Sequence, residues 1–410
     1  VKVDLDSSSA TVYTSADVST LDVDGYIDIE NIIGSKNNDI FIMKQASIAN
    51  TIDGSNGIDT ISYEKYNTSV TVDLSATNGI NTVTTGDVDT ILNIENLTGG
   101  TAGDFLTGNA LSNVIKGGAG ADTIFSSKGT DTVDGGSSST DVDEMNYANR
   151  GNSIVLTASG ATYSVSKSDD SGKIDTLINI EVVQGTSYAD IMTGDSSGTT
   201  SDTFKGGAGN DQLSGGAGAD TLYGEDGDDT LKGGTGDDYL DGGNSNEING
   251  DTVSYVDVTT DKLVVTISSD GTATATIGSE KDTLVEIENI TGSNYGSGSS
   301  TAGDGDTITG DSLKNTIFGL AGNDVLDGGA GNDYIDGGAD NDTITGGAGA
   351  DTLLGGTGND KFIQTATAGD TTGDIINGGS ESISNRGSDT VDYSAFASNS
   401  GGIKVSLNDL

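Results

Sequence analysis

Cysteine, proline, histidine and tryptophan are all missing from this 410-residue chain. Without histidine or cysteine there is no Ser-His-Asp triad, no thiol nucleophile and no nitrogen- or sulfur-ligated zinc or copper site. Any metal site must therefore be built from oxygen. The absence of cysteine removes disulfides but names no compartment. Zero proline, where ~20 would be expected at the average ~5% usage, suits a backbone ladder in which nearly every N–H is needed. Aromatic residues make up 5% and hydrophobic residues 32%, too few for a thick globular core and a poor basis for an ordinary two-domain enzyme. No apolar run is long enough to span a membrane, and no charged segment followed by an apolar one opens the chain. Basic residues are scarce as well: 17 Lys+Arg stand against 64 Asp+Glu, a formal charge of −47. Nucleic acid and anionic membranes are poor partners for such a surface, so neither nucleic-acid binding nor membrane insertion is expected.

Glycine and aspartate are abundant, and they recur with a period of nine. Residues 206–241 read GGAGNDQLS, GGAGADTLY, GEDGDDTLK and GGTGDDYLD, and residues 301–363 form seven further nines without a gap. A third run occupies 99–134, and single copies lie at 34–42, 185–193 and 197–205. Of these eighteen nines, sixteen carry Asp at position six; Asn113 and Asn315 are the exceptions. The only steadily apolar position is the eighth, held for example by Ile124, Leu213, Leu222, Leu326, Leu353 and Phe362. In a short strand, position eight points one way while seven and nine point the other. The core is thus expected to be a thin aliphatic stack between two sheets, stable only when neighbouring coils stack.

The pattern GGxGxDxUx, complete at Gly117, Gly206, Gly215, Gly233, Gly328, Gly346 and Gly355, resembles the RTX, or hemolysin-type calcium-binding, family. The resemblance implies an all-β fold, a right-handed parallel β-roll or β-helix solenoid. In it the first six residues turn, the last three form a strand, and two nines complete a coil. Stacking such coils brings the position-six carboxylates into rows whose repulsion a hard, oxygen-seeking cation would relieve, and Ca2+ suits that donor set better than Mg2+. Multiple Ca2+ ions are therefore the expected cofactor. The expected ligands are Asp122, Asp131, Asp211, Asp220, Asp229, Asp238, Asp324, Asp333, Asp342, Asp351 and Asp360. The turn carbonyls of Gly120, Gly209, Gly218, Gly236, Gly331, Gly349 and Gly358 would complete the shell. Asn113 and Asn315 predict weak or absent sites. Asp131 follows Ser126 and Ser127 where Gly-Gly should be, and Asp39, Asp104, Asp190, Asp202 and Asp306 lie in degenerate copies, so these rank second.

A longer repeat encloses the short one. DTISY (59–63), DEMNY (143–147), DTVSY (251–255) and DTVDY (389–393) are each followed by an alternating stretch: VTVDL (70–74), SIVLT (153–157), LVVTI (263–267) and IKVSL (403–407). Each stretch reads as a half-buried strand. A marker then precedes three of the runs: DTILNIENLTG, DTLINIEVVQG and DTLVEIENITG, ending near residues 99, 185 and 292. The organisation expected is a tandem array: a partial unit 1–69 with one nonapeptide, a unit 70–153 with run 99–134, a unit 154–262 with run 185–241, a unit 263–402 with run 301–363, and the start of another at 403–410. The matched phase of the two ends suggests a piece of a longer array.

No catalytic constellation remains once the repeats are accounted for, so no enzymatic activity is expected. The spare carboxylates Glu64, Glu95, Glu181 and Glu288 are the only acids worth asking about, and three of them sit in the repeated marker, which favours a structural role. The reading is a secreted calcium-binding structural protein: a calcium-rigidified array serving as surface-layer component, filament or adhesin stalk. The alternative is the calcium-folding tail of a secreted hydrolase or polysaccharide-modifying enzyme whose catalytic domain lies outside this chain. The resemblance implies type I secretion and an extracellular or bacterial cell-surface location. Expected partners are calcium, further copies in a filament or lattice, with Asp241, Asp327 and Asp336 as candidates for ion bridging, and cell-surface polysaccharide.

Overall fold

The computed structural model describes residues 2–6, 9–13, 24–26, 31–43, 50–75, 80–82, 88–136, 140–243, 247–268, 271–298, 304–365, 373–379 and 388–394. IKVSL at 403–407, and with it the expected start of another unit, lies outside these residues. The described chain is all β, with no helix among the described residues and so none long and apolar enough to cross a membrane. It divides into two compact units, Val1–Gly227 and Asp228–Leu410.

In the first unit the coil is clearest around Thr203–Ala208, Gln212–Ala217 and Thr221–Asp226. Thr203 pairs in parallel with Thr221 and Phe204 with Leu222, a step of two nines, while the intervening strand pairs with Ile191–Thr193 on the other sheet. The second unit repeats this: Val325–Asp327, Thr343–Thr345 and Lys361–Ile363 stack on one side, and Thr316–Phe318, Tyr334–Ala339 and Thr352–Thr357 on the other. Position eight fills the space between the sheets: Phe204, Leu222, Ile335, Ile344 and Leu353 are fully buried. Each such side chain contributes about 1.5–3 kcal/mol, too little for one coil alone.

Some strands keep to the three residues expected, such as Thr343–Thr345, and others are longer. In Thr203–Ala208, Tyr334–Ala339 and Thr352–Thr357 the ladder runs on through the Gly-Gly pair, with Gly207 opposite Glu225 and Gly338 opposite Gly356. The glycines are turn residues by composition, but with no Cβ they also let successive coils approach closely enough to keep pairing.

Three of the alternating stretches form half-buried strands: Thr71–Asp73 pairs in parallel with Phe105–Thr107, and the stretches at 153–157 and 263–267 open inserts in the parallel ladder. Ile154–Ser159, Thr162–Lys167 and Ile174–Ile178 make an antiparallel meander between Ile191–Thr193 on one side and Thr132–Gly136 on the other. Leu263–Ile267, Thr272–Ile277 and Glu280–Val285 do the same between Thr307–Thr309 and Tyr239–Asp241. Their inward positions, including Leu156, Val165, Leu177, Val265, Ala275 and Leu284, are fully buried.

Candidate metal centres

Each position-six side chain sits where the turn enters its strand, and its carboxylate is shared between two coils. Asp122 Oδ1 accepts the backbone N–H of Asp104 at 2.7 Å, and the same bond joins Asp202 to Asp220 (2.8 Å), Asp324 to Asp342 (2.9 Å) and Asp333 to Asp351 (2.9 Å). The aspartates thus form columns in which one carboxylate after another closes the backbone of the coil before it. Oδ2 turns back over the first glycine of its own nonapeptide: a Cβ on Gly117 would run into Asp122 Oδ2, and one on Gly328 into Asp333 Oδ2. That glycine is required by its neighbour's carboxylate. The second and fourth are required by backbone conformation, as at Gly118 (φ 119°) and Gly120 (φ 104°).

The side chains of Asp122, Asp324, Asp333 and Asp342 are buried, and Oδ2 of each has no hydrogen-bond partner among the described residues. Burial raises all four carboxyls above the usual range, Asp122 and Asp333 to about 7, Asp324 to about 8 and Asp342 to about 9, with neighbouring aspartates adding to the rise. A buried anionic oxygen without a donor is costly. The carbonyls of the expected turns face along the same stack: that of Gly209 lies against Gly227 and that of Gly331 against Gly349. Carboxylate and carbonyl oxygens are the donor set that Ca2+ accepts.

Where position six departs from the full motif, the oxygens find other partners. Asn113 and Asn315 turn their amide N–H2 onto the carbonyls of Glu95 (2.6 Å) and Glu288 (2.8 Å), so the side chain satisfies itself within the protein. Asp190 and Asp306, in degenerate copies, accept backbone N–H groups from Thr186 and Ser293 at 2.6 Å on Oδ2 and from the insert residues Ile154 and Leu263 on Oδ1. Asp131 departs most. Its Oδ2 accepts the Ser127 hydroxyl at 2.9 Å and lies 3.8 Å from the ammonium of buried Lys167. The carboxylate expected to hold calcium thus faces a protein cation.

The markers join the same columns, which composition did not show. Glu95, Glu181 and Glu288 reach across with Oε2 to accept the N–H of Asp59, Asp143 and Asp251, each at 2.8 Å. The longer glutamate takes the place of the next aspartate where the lead segment re-enters the stack. Asp175 and Asp282, also in markers, accept the N–H of Asp131 (3.0 Å) and Asp238 (3.1 Å) and are held from behind by the buried hydroxyls of Tyr147 and Tyr255. A further oxygen cluster also lay outside the motif: Glu247, Asp251 and Glu288 bring carboxylate oxygens within 4.8 Å of one another. Oε1 of Glu247 and Oδ2 of Asp251 have no hydrogen-bond partner among the described residues, and burial raises the two groups to about 7 and about 8. The signal was present in DTVSY, whose aspartate follows a Gly-Gly pair at Gly242 and Gly243.

A family model described as the RTX calcium-binding nonapeptide repeat (4 copies) matches residues 107–139, 196–231, 223–248, 301–335, 309–344 and 328–362. No curated protein matches the chain. With its matched runs and its columns of inward carboxylates, the chain carries RTX calcium-binding nonapeptide repeats in several copies between residues 107 and 362, and is a calcium-binding repeat protein.

Proposed function

We propose that this chain works as an extracellular structural array, a stalk, filament or surface-layer element that calcium makes rigid, and that it catalyses nothing. One observation carries the reading: three of the four spare acids that could have formed a catalytic pair are spent on backbone. Glu95, Glu181 and Glu288 each accept a main-chain N–H, and a carboxylate fixed as a ladder acceptor is poorly placed to shuttle protons. What remains is a repeated surface whose length scales with the number of coils and whose order is coupled to calcium.

Calcium would be held by the position-six carboxylates, Asp122, Asp211, Asp220, Asp229, Asp238, Asp324, Asp333, Asp342, Asp351 and Asp360, with turn carbonyls such as those of Gly209 and Gly331. It would supply the positive charge that lets the columns stay ionised while buried. Secretion before folding fits this chemistry, because such a chain orders only where calcium is plentiful.

The test pairs two measurements on the purified chain. Light scattering during calcium titration should show ordering followed by association into larger species, and the loaded chain should be retained on cell-surface polysaccharide. Turnover of a polysaccharide or ester substrate, abolished by Glu181→Gln, would sink the structural reading.

A further inference from the structure

Seventeen basic residues serve a chain with 64 acidic ones, and among the described residues the paired lysines other than Lys167 are partly exposed, such as Lys205 with Glu144 and Lys361 with Asp392. Lys167 is fully buried. It ends the strand Thr162–Lys167 in the first insert, on the face that also carries the buried Tyr163 and Val165. Its ammonium donates to the carbonyls of Ser127 (3.1 Å) and Gly129 (2.9 Å) and to Asp175 Oδ1 (2.6 Å), with Asp131 Oδ2 at 3.8 Å. An ammonium has three protons, and here three oxygens receive them.

Those oxygens occupy defined places in the repeat. Ser127 and Gly129 are positions two and four of the nonapeptide 126–134, Asp131 is its position six, and Asp175 is the next carboxylate in the column. In the full-motif turns the carbonyls at positions two and four also face along the stack, Gly329 toward Gly347 and Gly331 toward Gly349. The nonapeptide at 126–134 has lost its Gly-Gly pair, yet it keeps the oxygens and brings a cation of its own.

We infer that Lys167 is a tethered cation that occupies the calcium position of the 126–131 turn, so that this one step of the column is closed without metal. The inference rests on position six being the calcium ligand elsewhere. An ammonium carries half the charge of Ca2+ and cannot be diluted away, so the step is held at any calcium concentration. A calcium ion could not enter beside it without placing like charges among the same few oxygens.

The test counts calcium bound to the full chain by isothermal titration and by elemental analysis after gel filtration. Asparagine is used because its amide oxygen can still accept the ladder N–H. Asp122→Asn, in a full-motif turn, should lower the count by about one ion, whereas Asp131→Asn should leave it unchanged. Lys167→Met should raise the count by about one, and adding Asp131→Asn to that variant should remove the gain. If Asp131→Asn costs an ion in the parent chain, or Lys167→Met gains none, the tethered cation is wrong. If Asp122→Asn changes nothing, the failure lies with position six as a ligand. Should Lys167→Met fail to fold, the contrast between Asp122→Asn and Asp131→Asn still decides.

Discussion

The inserts at 154–178 and 263–285 share their strand pairing, their buried apolar face and the tyrosine behind the ladder carboxylate. They differ in charge at the mouth of the hairpin. Lys167 pairs with Ile154 at the mouth of the first hairpin, and Ile277 pairs with Leu263 at the mouth of the second. The first therefore places an ammonium against its column. Burial raises the ladder carboxylate in both, Asp175 in the first and Asp282 in the second, the latter to about 7 with Asp238 adding to the rise. The comparison separates two jobs that the repeat usually combines: hydrophobic stacking shapes the coil, and a cation makes the column of charges tolerable.

The largest effect expected is from calcium removal. With chelator, far-UV circular dichroism should lose most of its β signal, since metal-binding free energy here is largely folding free energy. Hydrogen exchange should resolve the inserts: the amide of Thr283, bonded to the Asp238 carbonyl at 2.8 Å, should open at lower chelator concentration than that of Thr176, bonded to the Asp131 carbonyl at the same distance. Simultaneous opening would mean that Lys167 adds nothing local.

Core truncation should not distinguish them. Leu177 and Leu284 are fully buried and sit at equivalent places in the two meanders. Leu177→Ala and Leu284→Ala should each cost about 2–5 kcal/mol in the calcium-loaded chain, measured by denaturant titration. A much smaller cost in either would show that the corresponding insert is not held by its apolar face.

These inserts also mark where sequence reasoning stopped. The nine-residue period carries the fold because it repeats one local solution, a turn, an apolar strand centre and an aspartate, and position six is legible for the same reason. Lys167 was missed although the alternation of its strand places it on the face of Tyr163 and Val165; a lysine in that phase reads as an irregularity until its acceptors, about 40 residues earlier in the chain, are brought beside it. The markers were visible as repeats, but their glutamates act on N–H groups 36–38 residues away, a distance no local motif encodes.

Acidity should affect the inserts to different degrees. Burial holds Asp282 up at about 7 and Asp131 at about 6 in the folded chain, whereas an unfolded aspartate titrates near 4. The folded state then binds more protons across that interval, so without calcium its stability falls as pH rises through these values and is regained on acidification. In chelator, lowering the pH from about 8 to about 5 should stabilise the region around Asp282 before that around Asp131. With calcium the sign reverses wherever the metal is bound, because protons compete for its ligand oxygens, whereas the Asp131 step, closed by Lys167, keeps its sign. Carboxyl chemical shifts followed by NMR would check both directions, and midpoints near about 4 for both groups would show that burial does not raise them.

The smallest effect expected separates two marker glutamates that look alike in sequence. Glu181 and Glu288 make the same 2.8 Å bond to a backbone N–H, but Glu288 also stands with Glu247 and Asp251 in a three-carboxylate cluster. Glutamine keeps an oxygen able to accept the N–H and removes the charge. Glu181→Gln should therefore leave both stability and calcium count nearly unchanged, a surface-sized effect of about 0.5 kcal/mol or less. Glu288→Gln should preserve the fold equally well but weaken one calcium site, visible as the loss of the weakest step in an isothermal titration. Glu247→Gln should remove the same step, since its Oε1 has no partner within the described protein. If Glu288→Gln and Glu181→Gln give identical titrations, the cluster is a ladder terminus crowded with acid, and calcium binding in this chain stops at the nonapeptides.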